Sequence, residues 1–209
     1  MLFAKERIKT MKLTLIRHGQ TDLNKENRIQ GGGIDQPLNE TGIMQAQQAA
    51  KNFDISGYDL VYASPLKRAR KTAEIFVHDE KPIHFDERLK EMDFGEWDTL
   101  RVIDLYKKYP KGFTSDGYIA NGYLRYAPSG ESFEDVAQRA SEFVDELIDK
   151  YPDKNVLVVC HGTLIKTLVA HYFANGNLDI FRQVENCAIS KFVFEENRRQ
   201  VQMYNHVIG

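Results

Sequence analysis

Only two cysteines, Cys160 and Cys187, occur in the 209 residues, and they do not share a C-x-x-C spacing. That excludes a disulfide framework or a cysteine-built zinc site as the organising principle of the fold, and it fits a reducing compartment. No apolar run approaches the roughly 20 residues that cross a bilayer, and residues 1–10 lack the apolar core of a secretory signal. The expectation is a cytoplasmic protein with no membrane partner. Charge of one sign is not in excess: 28 Lys and Arg stand against 30 Asp and Glu, a net charge of −2, with no long basic run. Nucleic acid is therefore not the expected partner. No H-E-x-x-H and no paired-carboxylate pattern is present, so neither metal nor cofactor is expected. Gly31-Gly32-Gly33 is not followed by Gly-Lys-Ser/Thr, so it reads as a mobile turn and not as a nucleotide loop. Repeats and low-complexity linkers are missing too. Residues 11–209 then form a single domain, in which 99–131 is a cover insertion. Residues 1–10 are an N-terminal extension of unassigned role, Met11 being an alternative start. The sequence carries no signal of oligomeric state.

What is present is an alternation of strand and helix patterns. Short apolar strand patterns occur at Leu13–Ile16, Tyr58–Ala63, Ile83–Phe85 and Val156–Val159, with a closing pair at Ile189–Phe194 and Gln200–Tyr204. Helical spacing covers 40–53, 100–109, a stretch opened by Ser64 as N-cap with Pro65 in the first turn and running to about Val77, one from the Ser132 capping box to Lys150, and one after Gly162 to Phe173. Such alternation predicts an α/β fold, a three-layer α/β/α sandwich with a mostly parallel central sheet and a small cover over the C-terminal strand ends. Ligands of such sheets bind at the carboxyl ends of the strands. Three strand patterns stop at polar residues there: Arg17-His18-Gly19, Ser64 with Arg68 following, and His161-Gly162.

Phosphoryl transfer needs those residue types. A phosphate ester carries about two negative charges near neutral pH, and its transition state spreads charge over three equatorial oxygens. Arginine forks such as Arg17 and Arg68 bond two oxygens at once. A neutral imidazole is a competent nucleophile, and a carboxyl group such as Glu91 can protonate the leaving oxygen once burial raises its pKa. Taken singly, each has a structural alternative. His18 or His161 at a strand end can be a core residue, Arg68 a solvated member of Lys67-Arg68-Ala69-Arg70-Lys71, and Glu91 an ordinary loop carboxylate.

Their joint order resembles a known family. Arg17-His18-Gly19-Gln20-Thr21-Asp22-Leu23-Asn24 matches R-H-G-x-T-x-x-N, and Ser64-Pro65-Leu66-Lys67-Arg68-Ala69 with Thr72-Ala73 matches S-x-L-x-R-A-x-x-T-A. Arg28-Ile29-Gln30-Gly31, Leu89 to Trp97, Pro128 to Ser132 and Val158 to Thr163 follow in the same order. This is similar to the histidine phosphatase superfamily, the phosphoglycerate mutase-like proteins, over residues 12 to 165. The resemblance implies a catalytic set of His18, Glu91, His161, Arg17 and Arg68. His18 would be the residue that becomes phosphohistidine and Glu91 the proton donor. Arg17, Arg68 and His161 would hold phosphoryl oxygens, with Asn24, Gln30, Gly31, Gly162 and Thr163 lining the pocket and no metal. Asp98-Thr99 stands where the family often has Glu-Gly.

The same residues serve a hydrolase or a mutase. Glu91 and His161 are 70 residues apart, shorter than in the family's mutases. The expected function is therefore a phosphatase acting on phosphate monoesters of small metabolites. Phosphoglycerate mutase is the alternative, and a non-catalytic phosphate-binding module ranks below both. The partner is a small phosphorylated metabolite. Tyr106, Tyr109, Phe113, Tyr118, Tyr123 and Tyr126 are expected to pack the cover, one or two of them facing the pocket, with Lys111 and Arg125 as candidate second anionic anchors. Cys160-His161-Gly162-Thr163-Leu164-Ile165-Lys166 is not a cysteine phosphatase loop, because position 166 is lysine and not arginine.

Overall fold

The computed structural model describes residues 9–208. Six strands form one sheet: β1 (Thr10–Arg17), β2 (Leu60–Ala63), β3 (Ile83–Phe85), β4 (Asn155–Cys160), β5 (Ile189–Glu195) and β6 (Arg198–His206). Their order across the sheet is β3-β2-β4-β1-β5-β6. β3, β2, β4 and β1 run parallel, while β5 and β6 add an antiparallel edge. The helices are α1 (Asp22–Lys25), α2 (Glu40–Lys51), α3 (Lys67–Val77), α4 (Val102–Lys108), α5 (Phe133–Lys150) and α6 (Gly162–Phe173). No helix among the described residues is long and apolar enough to cross a membrane.

Parallel strands need cover on both faces, and the sequence supplies it by alternation. Leu13, Leu15, Val156, Val158 and Cys160 point into a core shared with α5 and α6. Ile16, Leu157, Val159, Val61 and Ala63 point the other way, against α2 and α3. The result is the expected three-layer sandwich. The boundary expected at residue 10 falls inside β1, since Thr10 is its first residue and Met11 is fully buried. Residues 1–8 of the expected extension lie outside the described residues.

Between α4 and α5 the chain forms a cover built around the single tryptophan. Trp97 is 1% exposed, and the rings of Tyr109, Phe113, Tyr123 and Tyr126 pack around it at centroid distances of 6.0, 5.3, 5.4 and 6.4 Å. Tyr106 packs edge-on against Phe113 at 5.5 Å, so five of the six cover aromatics pack the cover itself. Tyr118 instead lines a cleft at the strand ends.

Helix starts show which polar residues are diverted to other work. Ser132 makes the predicted capping box with Asp135. Ser64 does not cap α3, contrary to expectation: the N-cap is Leu66, without a side-chain cap bond. The Ser64 hydroxyl is held by the His161 ring at 2.7 Å, and Asp35 accepts the Lys67 N–H at 2.6 Å in its place.

Candidate active site

Strand register brings distant residues together. Arg17 of β1 pairs with Cys160 of β4, and Ala63 of β2 pairs with Val159. His18, Ser64 and His161 thus leave three neighbouring parallel strands at one level. The two imidazole centroids are 5.2 Å apart at an interplanar angle of 61°. Neither ring is displaced by apolar neighbours: His18 and His161 are buried among polar groups, with the Arg17 and Arg68 charges acting on both.

A backbone carbonyl fixes the protonation pattern of the His18 ring, and two side chains fix that of His161. His18 Nδ1–H donates to the Gly19 carbonyl at 2.7 Å, since a carbonyl can only accept, and this leaves Nε2 with its lone pair. Burial first, then the Arg68 and Arg17 charges, holds the His18 pKa well below 6.5. A neutral imidazole at neutral pH follows. In His161, Nδ1 accepts from Arg68 Nε at 3.2 Å, so Nε2–H donates to Ser64 Oγ. Burial, then the Arg68 charge, lowers the His161 pKa well below 6.5 as well.

The two guanidinium groups are anchored by carbonyls, so their charge is not cancelled by a direct ion pair. Arg17 Nη1 donates to Val184 O at 2.6 Å. Arg68 donates to Ile34 O at 2.6 Å and Gly31 O at 3.1 Å. Burial pushes the Arg68 pKa down to about 10, with Glu91 and Asp35 opposing it, and it also lowers Arg17 against the pull of Glu91 and Glu185. Among the described residues four buried side-chain polar atoms have no protein partner: Arg17 Nε and Gln30 Nε2, which belong to the predicted pocket residues, and Trp97 Nε1 and Thr167 Oγ1, which do not. Such groups are rare in a folded interior unless a ligand or water meets them.

Glu91 is 6% exposed. Its Oε1 accepts from the N–H of Met92 at 3.0 Å and of Leu164 at 2.9 Å, and its Oε2 accepts from Thr163 at 3.0 Å. Glu91 therefore caps α6 from a distance, where the N-cap residue His161 makes no side-chain cap bond. The Thr163 N–H is taken by this carboxylate. Asn24 closes a capping box with Thr21 and lines a cleft of about 400 Å³ together with Arg17 and Thr163. Lys111 and Arg125 do not line that cleft.

The glycines of the site are held by close packing and hydrogen bonds. The Gly19 N–H is bonded to Thr72 Oγ at 3.1 Å, and a Cβ at residue 19 would strike the Gly42 carbonyl. Gly19 thus permits close contact with the start of α2. Gly31 and Gly32 are not a free turn: Gly31 N–H bonds Asp98 Oδ1 at 2.7 Å and Gly32 N–H bonds Met92 O at 2.9 Å. They are packed against the Glu91 loop.

Four contributors have roles that the sequence motifs do not assign. Ser64 was matched as a motif letter but read as a cap. Asp98, noticed only as a departure, holds Gly31, whose carbonyl holds Arg68. Thr72 bridges Gly19 N and Arg68 O, the latter at 2.7 Å. Asn186 donates to His18 O at 2.9 Å. Nothing in the local pattern around Glu185-Asn186-Cys187 pointed to the last.

Comparison with known proteins gives the same kinship. A sequence model of the histidine phosphatase superfamily (branch 1) matches residues 13–207. The chain is 31% identical over 195 residues to the "Uncharacterized phosphatase PhoE" of Bacillus subtilis strain 168, covering 91% of this chain and 92% of that protein. It is 30% identical over 200 residues to the "Probable phosphoglycerate mutase GpmB" of Cronobacter sakazakii, covering 90% and 86%. Among solved structures, Bacillus stearothermophilus YhfR superimposes with a TM-score of 0.82 at 31% identity, over 94% of this chain and 98% of that one. The chain belongs to the histidine phosphatase superfamily.

Proposed function

We propose that this chain is a phosphatase that hydrolyses phosphate monoesters of small metabolites through a phosphohistidine on His18. The observation that carries this reading is the His18 ring. Its Nδ1–H is bonded to the Gly19 carbonyl at 2.7 Å, which leaves a neutral Nε2 lone pair in the field of Arg17 and Arg68. In the first step, Nε2 attacks phosphorus, the bond to the leaving oxygen breaks, and Glu91 gives that oxygen a proton. In the second, water attacks phosphorus, Glu91 takes its proton, the P–N bond breaks, and His18 recovers its lone pair. Arg17 and Arg68 balance charge on the three transferring oxygens, with the neutral His161 ring beside them. The buried Arg17 Nε and Gln30 Nε2, which have no protein partner, are donors that such an anion would satisfy. Two guanidinium groups supply the positive charge, so the proposed reaction proceeds without metal, and turnover should survive a chelator.

Brief mixing with a radiolabelled phosphate ester, followed by an alkaline quench, tests the intermediate. Acid-labile label on the peptide containing His18 is expected. Undiminished turnover by His18→Ala would overturn the assignment. The runner-up, a phosphoglycerate mutase, is favoured by the likeness to the protein so named from Cronobacter sakazakii. Incubation with 3-phosphoglycerate decides: release of free phosphate faster than formation of 2-phosphoglycerate supports the hydrolase. A silent phosphate-binding module would release no phosphate from p-nitrophenyl phosphate at any acidic or neutral pH.

A further inference from the structure

Lys166 is a largely buried lysine whose half-buried ammonium opens into the cleft at the edge of the candidate active site. It is 7% exposed, and its Nζ sits 4.6 Å from the centroid of the Tyr118 ring. Among the described residues it makes no hydrogen bond within 3.5 Å and no ion pair within 4.0 Å. Asp116 and Asp179 act on it only from beyond that distance, and burial lowers its pKa despite them. Desolvating an ammonium without a bound counter-charge is costly, and an aromatic face returns only part of that cost.

Position gives this lysine a use. Lys166 and Tyr118 line the same cleft as Arg17 and Thr163. On α6, Lys166 follows Thr163 by three residues, so the two side chains share a face about 5–6 Å apart. Thr163 N–H in turn bonds Glu91 Oε2 at 3.0 Å. Glu91, Thr163 and Lys166 therefore mark a path from the proposed leaving oxygen along one helical turn. The other cations of the cleft are already engaged. Arg28 is tied to Glu26 at 2.7 Å and to Thr99 O at 2.8 Å, and Arg17 is assigned to the transferring phosphoryl group. Glu185, a carboxylate on the cleft wall, acts on Arg17.

We propose that Lys166, beneath the Tyr118 ring, binds an anionic group carried by the leaving alcohol. Preferred substrates are then phosphate monoesters whose alcohol bears a carboxylate or a second phosphate a few bonds from the ester oxygen. This rests on the hydrolase reading and adds a specificity residue to it, one that the motif search met only as a lysine where another phosphatase class needs arginine.

The test compares matched substrates on the wild type and on Lys166→Met. 3-Phosphoglycerate against glycerol 3-phosphate isolates a carboxylate, fructose 1,6-bisphosphate against fructose 6-phosphate isolates a second phosphate, and p-nitrophenyl phosphate reports hydrolysis itself. The wild type should favour the anionic member of at least one pair by about ten-fold or more in kcat/KM. The pair that shows the preference assigns the group. Lys166→Met should erase that ratio, chiefly by raising KM for the anionic member. A purely structural lysine would lower every substrate alike, leaving the ratio intact and sinking the subsite. If Lys166→Met does not fold, Lys166→Arg must keep the preference and Lys166→Gln must lose it. A wild type that hydrolyses p-nitrophenyl phosphate with no preference in either pair overturns the subsite alone. A wild type that hydrolyses none of the five overturns the hydrolase reading and the subsite with it.

Discussion

At the scale of single residues, the site is organised by hydrogen bonds that dictate which ring nitrogen carries a proton. Ser64 is the clearest case, since its hydroxyl receives His161 Nε2–H at 2.7 Å and thereby sets the ring's tautomer and tilt. Ser64→Ala removes a bond to an uncharged ring, a loss of about 1 kcal/mol. It should lower kcat by roughly 5- to 10-fold and the urea midpoint by roughly 0.5 M; steady-state kinetics beside urea denaturation checks both. Two duties of Glu91 are to be separated, the observed helix cap and the proposed proton donor. Glu91→Gln keeps a side-chain oxygen for the α6 N–H groups but has no proton to give. Hydrolysis of an alkyl phosphate should fall by about 10²- to 10⁴-fold, whereas p-nitrophenyl phosphate, whose leaving oxygen needs little protonation, should lose much less. Equal losses on both would leave Glu91 as a cap only. Strand ends and motif order exposed His18, Arg17, Arg68, Glu91 and His161 in the sequence. Asn186 and Asp98 stayed hidden because their work is to hold other residues' backbone, which leaves no chemical pattern of its own.

At the scale of elements, alternating apolar residues made β1, β2 and β4 legible, since both faces of these strands are buried and each face has its own core. Helix starts were less legible, because a serine next to a proline has the same sequence signature whether it caps a helix or serves a ring across the sheet. The glycine-rich stretch was misjudged for a related reason. Gly31 and Gly32 suggest freedom in sequence, yet each N–H is bonded into the Glu91 loop. That loop also carries a conformational cost. Thr99 sits at φ +67, a left-handed backbone that a β-branched residue adopts reluctantly. Its N–H nevertheless bonds Ile29 O at 2.9 Å, which pins it there. Thr99→Gly should stabilise the protein by roughly 0.5–1 kcal/mol, the relief of strain being partly offset by greater freedom of the unfolded chain. A higher urea midpoint with an unchanged m-value checks it, and a lower midpoint would show that the methyl group packs usefully.

For the molecule as a whole, two buried neutral histidines make stability depend on pH. Both have folded-state pKa values held below the ordinary 6.5, chiefly by burial. Below pH 6.5 the unfolded chain binds protons that the folded one refuses, so stability is intact above that pH and is lost as the pH falls. Each histidine contributes up to about 1.4 kcal/mol per pH unit in that window, roughly 2.7 for the pair. Asp98 works in the opposite direction. Burial, before any other influence, pushes its pKa from 3.8 up to about 6. The folded state therefore holds an extra proton between those values, which offsets part of the loss. Urea midpoints measured from pH 8 to pH 5 should be level down to about 6.5 and then decline, and His18→Gln should flatten the decline. A level profile throughout would contradict the buried, neutral pair. The sheet order has a last consequence. His18 and His161 become neighbours only because β1 inserts between β4 and β5, joining chain segments from opposite ends of the sequence. No fragment that lacks either strand can assemble the anion pocket. Catalysis is therefore a sensor of complete assembly: under the proposed function a nascent chain would stay silent until β4 and His161 are made, and an anion bound at the proposed site would clasp β1 to β4.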